Sequence, residues 1–150
     1  MRIILMIIFL AGIVSGQTTG TWKMNPDKSR HNDGEPLPRS LIMRFEPHPA
    51  GEVVTVWRIT PEGRSETDSF IQYYDGKDHT YLREERFDSI NARKLKDGTI
   101  TVMFKKGGKI VFRHAYRLMS DGQLMMIEEQ VLSKTGQWLD RTLVFEKQKE

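Results

Sequence analysis

The chain has 150 residues, no cysteine, and a formal charge of +3 from 23 basic and 20 acidic side chains. Lack of cysteine excludes disulfides, thiolate metal centres and a cysteine nucleophile. Lys and Arg are interleaved with Asp and Glu, which leaves no basic face suited to nucleic acid.

The chain opens on Arg2 and an apolar run from Ile3 to Val14, followed by Val14-Ser15-Gly16. A membrane-spanning helix needs about 20 apolar residues, more than this run supplies. The pattern is that of a secretory leader at 1–16, cleaved after Gly16. It predicts export to a secreted or periplasmic location, with no membrane span in the mature protein. Residues 17–150 then form one domain, expected to be monomeric and held by packing alone.

Gly20-Thr21-Trp22 begins the first predicted strand, 19–24. The stretch 25–38 holds Pro26, Pro36 and Pro38 and reads as an irregular loop. Strands follow at 39–47, 52–60, 65–74, 79–83, 86–95, 99–105, 109–119, 123–132 and 137–147. They are separated by Ala50-Gly51, Glu62-Gly63, Asp75-Gly76, Asp97-Gly98, Gly107-Gly108, Asp121-Gly122 and Thr135-Gly136. Asp or Asn before Gly tolerates the positive φ of tight hairpin turns. The segments between are β-branched and aromatic, as in Val53-Val54-Thr55-Val56-Trp57. Ten consecutive antiparallel strands leave two open edges unless the sheet closes. The expected fold is therefore all-β, a single up-and-down barrel, with an open Greek-key sandwich as the alternative.

Gly20-Thr21-Trp22-Lys23-Met24 resembles the opening strand of the fatty-acid-binding proteins, in the lipocalin-like (calycin) superfamily. Leu143-Val144-Phe145-Glu146-Lys147 resembles the last strand of the same family. The resemblance implies structural roles for Gly20 and Trp22, with the Trp packed across the closed end of the barrel. It also implies an interior arginine at Arg117. Two features depart from the family. The loop 25–38 is too short for the family's two lid helices, and Leu143 and Phe145 stand where an Arg-x-Tyr pair would clamp a carboxylate.

Hairpin arithmetic gives the interior. A turn at Asp121-Gly122 sets Met126 opposite Arg117 and Glu128 opposite Ala115. A two-residue turn at Lys134-Thr135 would set Glu128 opposite Arg141. Apolar counts do not separate the two faces of these strands. The resemblance places the face of Arg113, Arg117, Met126, Glu128 and Arg141 inside. Three arginines against one glutamate favour an anionic or amphipathic ligand. The candidate ligand-binding residues are thus Arg117, Arg141, Glu128 and Met126, and the expected partner is a small hydrophobic or amphipathic molecule. His114 faces Glu129 in these registers and Glu129 faces Asp140. That row reads as a structural cross-strand cluster or, on an enzyme reading, a general base. The sequence contains no metal-ligand spacing, nucleophile elbow or phosphate loop, so no catalytic residue, metal or cofactor is assigned. A filled barrel acting as a structural or inhibitory interaction module is the alternative function.

Overall fold

The computed structural model describes residues 18–31, 36–82 and 85–150. The leader expected at 1–16, the middle of the Pro-rich loop and Arg83-Glu84 lie outside these residues. The described chain forms strands β1 (Gly20–Met24), β2 (Arg30–His31), β3 (Ser40–His48), β4 (Gly51–Ile59), β5 (Ser65–Tyr73), β6 (His79–Thr80), β7 (Ser89–Lys94), β8 (Ile100–Lys106), β9 (Lys109–Met119), β10 (Leu124–Leu132) and β11 (Trp138–Lys147). The expected barrel is the one found. One sheet runs β5-β4-β3-β1-β11-β10-β9-β8-β7-β6, all antiparallel, and β1 joins the two ends of the chain by pairing with both β3 and β11. The Pro-rich loop is not wholly irregular, because β2 pairs with β11 through His31 and Arg141.

The barrel is nearly closed. Its last seam, between β5 and β7, has no backbone ladder along β5. It is bridged by Asp75 opposite Arg93 and by the Gly76 amide donating to the Ala92 carbonyl at 3.0 Å. Tyr81 adds side-chain stitches. Its hydroxyl donates to Asp68, and its ring meets Phe70 edge-on with centroids 5.8 Å apart.

The inner face follows from strict alternation. Trp22, Phe45, Val54, Ile100, Tyr116, Met125, Ile127 and Phe145 are almost wholly buried and fill the end of the barrel that holds Trp22. Each large apolar side chain buried there contributes about 1.5–3 kcal/mol. Trp22 lies across this end, and its Nε1–H donates to the Thr18 carbonyl at 2.7 Å, so burying the indole leaves no donor unpaired. Gly20, at φ 122°, holds a backbone conformation that L side chains rarely adopt.

Turn lengths decide which residues reach that interior. The β9–β10 register is the expected one, with Met126 opposite Arg117 and Glu128 opposite Ala115. The β10–β11 turn differs. Ser133 and Gln137 bracket three residues, Lys134-Thr135-Gly136, with Gly136 at φ 81° and its amide donating to the Ser133 carbonyl. A three-residue turn ending in a left-handed glycine adds one residue to the hairpin. Glu128 therefore faces Thr142, and Glu129 faces Arg141.

Gly51 answers a different need. It opens β4 where a Cβ would fall inside the Gln72 carbonyl of the neighbouring strand. Gly51→Ala is expected to lower stability by about 1–3 kcal/mol through overpacking. A fall in the urea midpoint with unchanged slope would show it. An unchanged midpoint would mean that the two strands sit further apart than the structure has them.

Candidate functional site

The shifted register divides the residues expected to share a site. Arg117, Met126 and Glu128 lie on the outer face of the barrel, opposite to the interior position expected for them. Arg117 and Glu128 form an ion pair there at 3.0 Å, each 47% exposed. Arg113 is also outside, with its guanidinium 4.6 Å from the Trp138 ring. Arg141 is inside, together with Leu143 and Phe145, on the face that carries Tyr116 and Ile127. Asp140 points outward and accepts from Gln130.

The row that crosses the interior is therefore His114–Glu129–Arg141. His114 Nε2 lies 2.8 Å from Glu129 Oε2, and Arg141 Nη1 lies 3.5 Å from Glu129 Oε1. A second acid at the third position would repel Glu129, whereas an arginine there compensates it. The row continues toward the packed end. The Tyr116 hydroxyl lies 3.2 Å from His114 Nδ1, and the Gln72 amide nitrogen donates to that hydroxyl at 3.4 Å. One donor order satisfies this chain: Gln72 to Tyr116, Tyr116 to His114, and His114 to Glu129.

The ionisation of these groups follows their surroundings. Burial alone raises the Glu129 carboxyl, but His114 and Arg141, with Arg58 further off, outweigh it and hold the group below its ordinary value. Burial pushes the Tyr116 hydroxyl up, so it remains a neutral donor. Tyr74 is raised first by burial and then by its hydrogen bond to Glu52.

His114, Glu129 and Arg141 point inward, yet their side chains are 15 to 18% exposed. Solvent therefore reaches this row, whereas Trp22 and its neighbours are sealed from it. Above the row the wall holds Val56, Phe70, Tyr81 and Phe112, all partly buried, and Arg58 paired with Glu66 at 3.5 Å. The expected excess of basic over acidic groups is absent from the inward register: Glu52, Glu66, Asp68 and Glu129 stand against Arg58, Lys94, Arg141 and Lys147. The sequence reading missed Glu52 and Gln72, whose inward placement depends on pairing across the barrel.

A depression of about 690 Å3 runs along β8–β11. The outward-facing Met103, Arg113, Glu128 and Asp140 line it together with His114, Glu129 and Arg141 of the row, and no residue of β3–β5 takes part. An irregular register beside Phe104 turns Ile110 outward into it.

An antiparallel barrel wound from successive hairpins, with its first strand set against its last, is a calycin barrel. No protein-family model and no curated protein matches the chain. Among solved structures it is similar to zebrafish ileal bile acid-binding protein complexed with cholic acid, at 14% identity and a TM-score of 0.55, over 88% of this chain and 99% of that one. It is also similar to bovine odorant-binding protein in complex with a selenium-containing odorant, at 12% identity and a TM-score of 0.45, over 90% of this chain and 73% of that one. The first likeness spans nearly both chains and shows the calycin fold.

The ionised form of Glu129 contributes stability that is complete above its unfolded value near 4.5 and is lost as pH falls through its lower folded value. Glu129→Gln should cost about 3 kcal/mol at pH 7, the low end for breaking a buried pair. It should also flatten this part of the acid-side loss relative to wild type. Urea midpoints of both proteins at neutral and acid pH check this, and parallel curves would remove Glu129 from the acid response.

Proposed function

We propose that this protein is an exported, monomeric binder of a small, mainly apolar molecule. The molecule sits in the half of the barrel opposite Trp22, against the His114–Glu129–Arg141 row. The observation that carries this reading is the partial exposure of an inward-facing ionic row. A barrel filled throughout would keep water from mid-height, and a polar row beside a partly apolar wall suits an amphipathic guest. The calycin fold supports the reading, since the zebrafish relative is complexed with cholic acid. Export rests on the sequence of residues 1–16. Arg141 faces this space, whereas Arg117 lies on the outer wall.

Titration with the neutral fluorophore N-phenyl-naphthylamine tests the reading. Saturable binding is expected. Arg141→Ala should weaken it by about fivefold, the worth of a guanidinium against an aromatic ring, while Arg117→Ala should leave it unchanged. Val131→Trp, which adds bulk beside Phe112, should abolish it. Failure of wild type to saturate, or equal affinity in all variants, would remove the interior site.

A further inference from the structure

The packed end of the barrel contains a second polar cluster. Glu52 on β4 and Gln72 on β5 are direct cross-strand partners, both inward-facing and 2% and 0% exposed. The Thr18 hydroxyl donates into the Glu52 carboxylate, 2.5 and 2.6 Å from its two oxygens, and the Tyr74 hydroxyl donates to Oε2. Every donor Glu52 meets among the described residues is thus a neutral hydroxyl. A carboxylate offers about four lone-pair sites, so acceptor capacity is left over. Gln72 Oε1 is buried without any partner. Such an orphaned group costs about 1–3 kcal/mol, and a well-packed barrel has reason to retain it only if something else completes it.

One unpartnered acceptor, Gln72 Oε1, therefore lies on the strand next to a buried carboxylate that has spare lone pairs and no ion-pair partner among the described residues. We propose that Glu52 and Gln72 form the head-group subsite of the barrel, built for a ligand whose polar end donates hydrogen bonds, an ammonium in first place, and closed to carboxylates. The inference rests on the small-molecule reading above and names its ligand class. The raised Tyr74 keeps its proton and so adds no second negative charge. Tyr116, bonded to both Gln72 and His114, joins this subsite to the wet row through which a ligand would arrive.

Calorimetric titration of the full chain with dodecylammonium, dodecanol and dodecanoate at neutral pH decides the matter. The ammonium should bind at least about tenfold tighter than the carboxylate, as a charge-assisted bond in place of two opposed acceptors requires. Glu52→Gln should erase that preference. Gln72→Leu removes an orphaned atom and so should fold with an equal or higher urea midpoint, while weakening the ammonium and leaving dodecanoate as it was. Dodecanoate binding as tightly as the ammonium would overturn the subsite, and so would a folded Gln72→Leu protein with wild-type affinities. Binding of none of the three probes, to wild type and variants alike, would overturn the small-molecule reading itself and the subsite with it.

Discussion

A hairpin turn of odd length reverses which side of the returning strand meets the core, and a glycine in the left-handed region is what permits that length. The chain uses this device three times, in Pro61-Glu62-Gly63, Lys96-Asp97-Gly98 and Lys134-Thr135-Gly136. Each glycine donates its amide to the residue that opens the turn. The third turn carries the greatest weight. It sends Arg141, Leu143 and Phe145 inward together, so the same step that completes the apolar core also delivers the cation that Glu129 needs. An even turn at this place would have set Asp140 beside Glu129 and turned Phe145 into solvent.

The interior divides by hydration. Near Trp22 the side chains are dry, and a polar group there must find a protein partner or go without. At mid-height, water reaches the row of His114, Glu129 and Arg141, which lowers the cost of keeping charges inside. Tyr116 sits on the boundary, fully buried among Phe45 and Ile127 yet bonded on both sides. Its position lets one hydrogen-bonded chain pass from the wet zone to the dry one. The outer wall carries the ordinary exposed pairs, Arg117 with Glu128 among them, which contribute little to stability.

The strands were legible because they are punctuated locally. The expected strand 109–119 is the observed β9, and 123–132 differs from β10 by one residue. Gly20 and Trp22 were legible for the same reason, since a strand opener and a single large aromatic announce themselves without partners. The pairing of His114 with Glu129 followed from an even β9–β10 turn correctly counted. Arg141 was placed by a two-residue turn where the chain has three, although the glycine in third place, Gly136, signals the longer form. The same miscount joined Arg141 to Arg117 and Glu128 on one face. Apolar alternation could not correct it, because both faces of β9 to β11 carry apolar side chains. Glu52 and Gln72 were illegible for another reason. Val53 and Val54 leave the facing of β4 undecided, and only closure of the barrel shows that Glu52 is sealed under Thr18 and Tyr74.

The seam between β5 and β7 gives the barrel a direction in which it yields. Elsewhere around the wall, neighbouring strands are tied by ladders of backbone hydrogen bonds. Among the described residues the connection along β5 is made by rings and the Tyr81 hydroxyl, and no strand pairs with that edge. Side chains can change rotamer in far less time than a strand needs to unzip. The cylinder is therefore mechanically anisotropic, stiff around most of its circumference and compliant along this line, where its girth can change without loss of a single ladder.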